Sequence, residues 1–312
     1  MKKVSIMVPC YNEEENVVPM SEALVAQMEQ LSDKYDYEIL FIDNCSQDST
    51  RELLRGICAG NKKIRAIFNS KNFGQFNSPY HAICQTTGDC TITVCCDFQD
   101  PIEMIPKFLA EWENGYKIVC GIKTTSKESK FMYFLRSIYY KLIKKMSKVE
   151  QIEHFTGFGL YDKSFVEVLR NLKDPTPFIR GIVAELGPKI KKIEYQQEKR
   201  RAGKTSNNFF SLYDAAMLSV TSYTKVGVRI ASFAGIAMSA LSALGGLICL
   251  ILELVDPYII NSGTLPIILA IFFVAGMQMF VTGFIGEYIM SMNARIMNRP
   301  LVIEEERINF DD

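Results

Sequence analysis

The sequence predicts an α/β fold in which a mainly parallel sheet with flanking helices precedes a membrane-anchored C-terminal region. Three observations support this prediction. Short β-type runs alternate with longer helical runs from Lys3 to about Tyr195, polar clusters follow successive strands, and two long apolar runs come after Arg229. Strands that are separated by helices form βαβ units with parallel strands. Ligands of such sheets bind outside the carboxyl ends of the strands.

The alternation predicts strands and helices whose junctions carry polar residues. The predicted strands are Val4–Pro9, Glu38–Ile42, Ile64–Phe68, Thr91–Val94 and Lys117–Cys120. The predicted helices are Glu14–Leu31, Asp48–Cys58, Gln75–Thr86 and Ile102–Glu113. The polar junctions are Tyr11–Glu13, Asp43–Ser46, Asn69–Gly74 and Asp97–Asp100. Because the carboxyl ends of parallel strands share one edge of the sheet, four such junctions favour a binding crevice over four solvated loops.

The stretch after the fourth strand predicts a site for a divalent cation. Asp97 and Gln99 carry side-chain oxygen atoms two residues apart at a strand end. Mg²⁺ and Mn²⁺ prefer oxygen ligands, and Mg²⁺ usually takes one or two from the protein and the rest from water and substrate phosphates. The run from Asp97 to Pro101 is also typical of an ordinary turn and helix cap, so the stretch alone leaves both interpretations open.

The composition excludes several classes of protein. Lys plus Arg and Asp plus Glu number 35 each, so the net charge gives no indication of a nucleic-acid partner. The nine cysteines contain no C-x-x-C pair, which favours free thiols in a reducing compartment over a disulfide framework or a zinc site. The apolar stretch after Met1 reaches only Val8 and is too short for a signal peptide.

Two segments predict amphipathic helices near a membrane. Residues 123–148 carry eight Lys or Arg residues against one acid, Glu128, with apolar residues at helical spacing. A basic amphipathic helix suits an anionic membrane surface, although an ordinary surface helix whose apolar face joins the core fits the same pattern. A second amphipathic pattern covers Asn207–Lys225, within a juxtamembrane region that we delimit as 207–229.

The two apolar runs, Ile230–Val255 and Leu265–Gly286, predict a transmembrane hairpin within residues 230–291. As a helix the first run is about 39 Å long, enough to cross a hydrocarbon core of about 30 Å. The link Asp256–Thr264 has no Lys or Arg, whereas Lys and Arg precede the first run and follow the second. The positive-inside rule then places the N-terminal domain, residues 1–206, and the tail, residues 292–312, in the cytoplasm. Glycines in both runs allow close helix contacts and homo-oligomerisation.

At this point the motifs resemble those of the membrane-anchored polyprenyl-phosphate glycosyltransferases of family 2, relatives of dolichol-phosphate mannose synthase. The matching motifs are Val8–Glu14, Ile42–Thr50, Asn69–Gly74, Asp97–Pro101, Phe158–Asp162 and Arg200–Ser206. The resemblance implies a GT-A fold at the cytoplasmic membrane. It also implies inverting transfer of a sugar from a nucleotide-sugar donor, a UDP-sugar, to a membrane polyprenyl phosphate, undecaprenyl phosphate in bacteria. Such transfer serves the assembly or modification of cell-envelope glycans.

The resemblance also implies roles for individual residues at three parts of the site. Donor nucleotide binding would fall to Pro9, Tyr11, Glu13, Asp43, Asn72 and Asp97. Asp97 and Gln99 would hold Mg²⁺ or Mn²⁺, and with Arg200 they form the expected catalytic set. The acceptor phosphate would contact Lys123, Arg200, Arg201 and Lys204.

The chain departs from the family pattern at three motifs. Cys95 stands where the family has the first Asp of Asp-x-Asp, Gly157 and Gly159 replace the Asp and Arg of an acceptor loop, and Ser206 stands where a Lys is usual. These departures leave open a catalytically degenerate, membrane-tethered scaffold of the same fold. A family 2 transferase with another lipid acceptor or a polymer product is a further alternative, although two spans are few for a polysaccharide channel. A transporter fits poorly because the apolar runs lack paired charges.

Overall fold

A computed structural model of the chain describes residues 1–124, 152–198, 200–202, 265–297 and 299–310, together with isolated helical positions between 217 and 255. The predicted helices 123–148 and 207–229, the first apolar run and Lys204 lie wholly or mostly outside the described residues. The described residues fall into two compact units. The first contains those up to Ala202 and those from Met297 onward, and the second contains the apolar helix and the isolated positions before it.

The first unit is built on one mixed, mostly parallel sheet of eight strands in the order β7-β5-β6-β4-β1-β2-β3-β8. Strands β2, β1 and β4 are parallel, as are β3 with β2 and β7 with β5. Strand β6 runs antiparallel between β4 and β5, and β8 runs antiparallel to β3 at the sheet edge. The strands are Lys2–Cys10, Tyr35–Asp43, Ile64–Asn69, Cys90–Thr93, Ile118–Lys123, Phe155–Asp162, Ile190–Tyr195 and Glu304–Ile308, numbered β1 to β8 in chain order.

Helices cover both faces of this sheet. They are α1 (Val17–Glu29), α2 (Thr50–Gly60), α3 (Gly74–Gln85), α4 (Ile105–Glu113), α5 (Lys163–Leu172) and α6 (Ile179–Leu186), and a 3₁₀ turn at Ile102–Met104 precedes α4. Because alternate residues of a strand point to opposite faces, Ile6 of β1 joins the core under α1, α2 and α4, whereas Met7 joins the core under α3, α5 and α6. The sheet therefore lies between two helical layers.

The expected α/β fold with a mainly parallel sheet and flanking helices is confirmed. Each predicted strand and helix of the first 120 residues has a counterpart with bounds shifted by a few residues. Strands β6, β7 and β8 were not predicted. Two of them pair antiparallel to their neighbours, so their place does not follow from the βαβ alternation that predicted the rest.

The segment that the resemblance assigned to an acceptor loop lies in strand β6. A Cβ atom added to Gly159 would lie 2.3 Å from the Val119 carbonyl oxygen of β5, closer than atoms approach without displacement. Gly157, two residues earlier, has φ of +107°, in the region that favours glycine. The positive φ therefore explains Gly157 and close packing against β5 explains Gly159, which gives a physical reason for the absence of the family's Asp and Arg.

Residues 292–312, expected to form a tail, include a strand of the first unit. Strand β8 pairs with β3, with Ala66 opposite Ile308 and Phe68 opposite Glu306. Asn309 Nδ2 then donates to the carbonyl oxygens of Cys58 and Ile64, each at 2.7 Å. The C-terminal segment is thus part of the sheet edge.

The second unit contains the apolar helix α7, Leu265–Met297, except for its last residue. Its 33 residues make about 50 Å of helix. Large apolar side chains along it are exposed, among them Ile271 at 62%, Met279 at 76% and Ile289 at 58%. Among the described residues one helical segment, Phe273–Met297, is long and apolar enough to cross a membrane. The described residues show one long apolar helix rather than the predicted hairpin, whose first run is mostly outside them.

Candidate active site

The loops after β1 and β2 hold each other through side chains that bond backbone amides. Ser46 Oγ accepts from the Asn12 amide at 2.8 Å, and Thr50 Oγ1 accepts from the Glu13 amide at 2.9 Å. Asn12 Oδ1 in turn accepts from the Gln47 amide at 2.8 Å. The polar run after β2 therefore fixes the conformation of the loop after β1 at the carboxyl edge of the sheet.

Asp43 ends β2 and is fully buried. Its Oδ2 accepts from the Ser46 amide at 3.1 Å, and Arg51 Nε of α2 lies 3.5 Å from the same oxygen. Burial raises the pKa of the Asp43 carboxyl, while the Ser46 hydrogen bonds and the Arg51 charge act in the opposite direction. Removing these neighbours would therefore favour the neutral acid.

Asparagines bridge the ends of β2 and β3. Asn44 Nδ2 donates to Asn72 Oδ1 at 2.9 Å, and Asn44 Oδ1 accepts from Asn69 Nδ2 at 3.1 Å. Asn69 Nδ2 also donates to Ser78 Oγ of α3 at 3.0 Å, but its buried Oδ1 has no hydrogen-bond partner among the described residues. Since an unsatisfied buried acceptor costs free energy, this oxygen marks a position where a donor group would be stabilised.

The turn after β4 presents Asp97, of which 9% is exposed. Asp97 Oδ1 accepts from the Gln99 amide at 3.1 Å, and Phe98 between them has φ of +60°, a conformation that is rare for an aromatic residue. The Arg201 amide donates to the Asp97 carbonyl oxygen at 3.2 Å, and the Arg201 guanidinium lies 5.1 Å from the centre of the Phe98 ring. These contacts join the segment that carries Arg201 to the Asp97 turn.

Arg200 brings two of the predicted site carboxylates together. Its guanidinium pairs with Glu13, its Nη1 lies 3.8 Å from Asp97 Oδ2, and Asn16 Nδ2 donates to Glu13 Oε2 at 2.6 Å. Burial raises the pKa of Glu13, Asn16 and Arg200 lower it, and the Asp97 charge raises it again. One guanidinium thus compensates two acids between the ends of β1 and β4.

Asp100 has a structural partner that sequence reasoning missed. Its Oδ1 accepts from the Tyr195 hydroxyl of β7 at 3.1 Å, and its Oδ2 accepts from the Cys95 amide at 3.1 Å. Asp100 is 3% exposed, and burial raises the pKa of its carboxyl. The bond to Tyr195 ties the edge strand to the turn of the predicted cation site. No local pattern signals it, because the two residues are 95 positions apart.

The remaining predicted site residues occupy separate positions. Pro9 lies near the end of β1, opposite Ile42 of β2, and Tyr11 follows that strand half-buried. Lys123 ends β5, which β6 separates from β4. The structure therefore groups Glu13, Asp97, Arg200 and Arg201, and it groups Asp43 with the asparagines that contact Asn72. It does not describe Lys204.

The residues present fit a divalent cation together with a ligand that brings its own oxygen atoms. Across the described residues, no group of three or more His, Cys, Asp or Glu is placed to hold a metal ion. Asp97 Oδ1 already accepts from the Gln99 amide, and its Oδ2 faces Arg200. Since Mg²⁺ takes few protein ligands and completes its shell from phosphates and water, Asp97 and Gln99 fit a partial ligand set.

A sequence profile identifies the family. The profile described as "Glycosyl transferase family 2" matches residues 5–170, which include the ends of β1 to β4. The chain belongs to glycosyltransferase family 2. It is therefore a glycosyltransferase by family, and Glu13, Asp43 and Asp97 lie within the matched region.

Relatives of this family 2 glycosyltransferase match over nearly the whole chain. An uncharacterized glycosyltransferase, YkcC of Bacillus subtilis (strain 168), is 29% identical over 309 residues, covering 99% of this chain and 95% of its own length. The bactoprenol glucosyl transferase of Shigella phage SfX is 28% identical over 306 residues, covering 98% and 99%. This family 2 chain is thus related to bactoprenol glucosyl transferases, which are polyprenyl-phosphate glycosyltransferases.

Solved structures align with about seven tenths of the chain. Glucosyl-3-phosphoglycerate synthase from Mycobacterium tuberculosis, in complex with Mn²⁺, UDP and glucosyl-3-phosphoglycerate, gives a TM-score of 0.46 at 15% identity, covering 70% of this chain and 78% of that one. S. aureus TarS 1-349 in complex with UDP-GlcNAc gives 0.43 at 13% identity, covering 71% and 67%.

Proposed function

We propose that this glycosyltransferase transfers a sugar, with inversion, from a UDP-sugar to the phosphate of a membrane polyprenyl phosphate, undecaprenyl phosphate, at the cytoplasmic membrane face. Its product would serve cell-envelope glycan assembly or modification. The observation that carries the proposal is the polar edge at the carboxyl ends of β1 to β4, where Asp43 and Asp97 are held by defined neighbours. Relatives named bactoprenol glucosyl transferase, similar over the full chain, support the acceptor and make glucose the first sugar to test.

On this proposal the donor nucleoside binds between β1 and β3. Asp43 accepts a base N–H, and Pro9, Tyr11 and Asn72 border the base and ribose. Support comes from the position of Asp43 at the strand end and from the hydrogen bonds that connect Asn44 to Asn72. An ionised acceptor is required for a strong bond to a base N–H, so the charge of Arg51 beside Asp43 favours binding.

The donor diphosphate would lie at the Asp97 turn. Asp97 and Gln99 would hold Mg²⁺ or Mn²⁺, which when bound supplies charge that stabilises the leaving nucleoside diphosphate. Glu13 keeps Arg200 in place beside Asp97, so one positive charge lies between two carboxylates before a substrate arrives. A phosphate monoester has a second pKa near 6, so the acceptor is already a nucleophile at neutral pH and no general base is required.

Acceptor recognition would involve basic side chains that bind the lipid phosphate. We assign the lipid phosphate to Arg200, Arg201, Lys123 and Lys204. Arginine can grip two phosphate oxygens with its fork, and a phosphate entering near Arg200 would compete with Glu13 for that fork. Alignment of the phosphate oxygen with the anomeric carbon then provides the main rate enhancement besides charge stabilisation.

Anchoring in the lipid bilayer would come from the apolar C-terminal region. Helix α7 is exposed and apolar, and the first apolar run would complete a hairpin in 230–291, with 1–206 as the catalytic domain and 207–229 as a juxtamembrane helix. Lys and Arg outside the two runs favour cytoplasmic termini. The glycines of the runs provide surfaces for homo-oligomer formation.

One observation favours a second candidate, a catalytically degenerate scaffold of the same fold. Cys95 is exposed where the family has a carboxylate, and a thiol is a poor ligand for Mg²⁺. Gly159 does not support this candidate, because close packing against β5 accounts for it.

Transfer to lipid distinguishes the two candidates. The full chain, purified in detergent, would be incubated with radiolabelled UDP-glucose, other UDP-sugars or GDP-sugars and undecaprenyl phosphate, with Mn²⁺, Mg²⁺ or EDTA. We expect metal-dependent label in the lipid phase with a UDP-sugar. Asp36→Asn, at an exposed acid of β2, is the matched control for changes at Asp97. Absence of transfer with every donor and metal would overturn the proposed function and favour the scaffold.

A further inference from the structure

Strand β8 reaches the proposed nucleoside site through one arginine. Glu305 of β8 accepts from Arg51 Nη2 at 2.7 Å, while Arg51 Nε lies 3.5 Å from Asp43 Oδ2. The same guanidinium lies 5.2 Å from the centre of the buried Phe68 ring of β3. One side chain of α2 therefore spans from the C-terminal strand to the carboxylate expected to accept the base.

The side chains of Asp43, Arg51 and Glu305 are increasingly exposed to solvent in that order. The Asp43 side chain has no exposed surface, that of Arg51 is 20% exposed and that of Glu305 is 52% exposed. Arg51 Nε is buried and makes no hydrogen bond among the described residues. The charge on buried Asp43 is therefore compensated by Arg51. Arg51 is in turn held by Glu305, a more exposed residue that is distant in the sequence.

We propose that Arg51 is a positioning residue for donor binding, and that Glu305 of β8 holds it in register with Asp43. The inference rests on the proposed function, because it takes Asp43 as the acceptor of a base N–H. Strand β8, which follows the apolar helix in the chain, would then complete the nucleoside site of the first unit. Arg51 contacts Asp43 rather than the ligand, so its effect is on the charge and orientation of that carboxylate.

The charge effect has a defined direction. Burial raises the pKa of Asp43, and Arg51 is the charged side chain that opposes it. The Cys10 thiol of β1 also faces Asp43, but burial raises its pKa well above the usual range, so it is neutral at physiological pH. Loss of Arg51 would raise the pKa of Asp43 further, and the neutral acid would accept a base N–H less strongly.

The neighbouring ion pair provides a matched control. Arg55, one helical turn along α2, pairs with Glu306 of β8 at 2.7 Å, and its guanidinium lies 4.9 Å from the Phe68 ring. Arg55 thus shares the helix, the strand and the aromatic contact of Arg51. In the described contacts it pairs with β8 and not with Asp43, so changes at Arg55 and Glu306 report only on attachment of β8.

Calorimetric titration of the purified full chain with UDP in the presence of Mn²⁺ tests the proposal. We expect Arg51→Met to raise the Kd for UDP about tenfold at pH 7.5, and more at pH 6, because loss of the Arg51 charge moves the pKa of Asp43 further up. Arg51→Lys, which keeps the charge, should recover most of the affinity. Glu305→Gln should raise Kd about two- to threefold, whereas Arg55→Met and Glu306→Gln should leave it unchanged.

Three outcomes distinguish failure of the positioning role of Arg51 from failure of the proposed function. Wild-type Kd for Arg51→Met at both pH values would overturn the inference while leaving the proposed function intact. Equal losses in Arg51→Met and Arg55→Met would show that only attachment of β8 matters, which also overturns it. If the wild-type chain binds neither UDP nor GDP, the proposed function itself fails. Should Arg51→Met not fold, the comparison of Glu305→Gln with Glu306→Gln decides in the same way.

Discussion

Replacement of Glu38 by glutamine should destabilise the first unit strongly, because this carboxylate is buried in the sheet and accepts hydrogen bonds and ion pairs from several side chains and one backbone amide. Glu38 is 2% exposed in β2. Its Oε1 accepts from Ser5 Oγ and from the Thr87 amide, each at 2.6 Å. Its Oε2 lies 2.8 Å from Lys3 Nζ and 3.1 Å from Arg65 Nη1. Glutamine keeps the shape of the side chain but replaces one carboxylate oxygen with an NH₂ group. This group would face neighbours that also donate hydrogen bonds, and the negative charge would be lost.

The size of the effect follows from the pKa. Burial by itself raises the pKa of Glu38, but hydrogen bonds from Lys3, Ser5 and Thr87 outweigh it and lower the pKa from 4.5 to about 2. That difference corresponds to about 3 kcal/mol of stability for the ionised form at neutral pH. For a unit of this size the melting temperature should fall by about 6 to 12 °C.

The same pKa fixes the pH dependence. Since the folded-state pKa lies below the unfolded-state value of 4.5, the contribution of Glu38 is complete above about pH 5 and is lost as pH falls toward 2. The stability difference between wild type and Glu38→Gln should therefore narrow as pH falls, by more than half at pH 3.

Differential scanning fluorimetry of the full chain in detergent, from pH 7 to pH 3, measures both quantities. Asp36→Asn is the control, because Asp36 in the same strand pairs with Lys63 at the surface, where ion pairs contribute about 0 to 1 kcal/mol. Melting of Glu38→Gln within about 2 °C of wild type at pH 7, or a difference that does not change with pH, would refute the reasoning.

Further changes address the site, the packing and the membrane topology. Asp97→Asn should abolish metal-dependent transfer while leaving the protein folded, whereas Cys95→Ser should be near neutral; full activity in Asp97→Asn would contradict the cation assignment. Gly159→Ala should lower stability by about 1 to 3 kcal/mol, because its Cβ would meet a carbonyl oxygen of β5, and wild-type melting would contradict this packing. A cysteine placed in Asp256–Thr264 should react with an impermeant reagent in intact cells and one placed near Asp312 should not; the reverse pattern would contradict cytoplasmic termini.

Several features of the site depend on contacts that local patterns do not signal. Arg200 and Glu13 are separated by 187 positions, yet they form an ion pair beside Asp97. The sequence placed all three residues in the site through motif resemblance, but it assigned Arg200 to an acceptor phosphate rather than to this pair. The pairing depends on how the segment after β7 returns over the turn after β4, which a local pattern cannot specify.

The sequence by itself determined the alternation of strands and helices up to β5, the polar edge where Asp43 and Asp97 lie, and the apolar character of α7. These properties depend on the order of polar and apolar residues within one element. That order can be read from the sequence because apolar residues recur with a period of about 2 in strands and about 3.6 in helices. The tertiary structure decided the insertion of β6 and the return of β8, with Glu305 reaching Arg51 from 254 positions away. Strand order depends on pairing between segments that are distant in the sequence. Each pairing depends on how the strand packs against its neighbours and which face it buries, not on the strand's own residues alone.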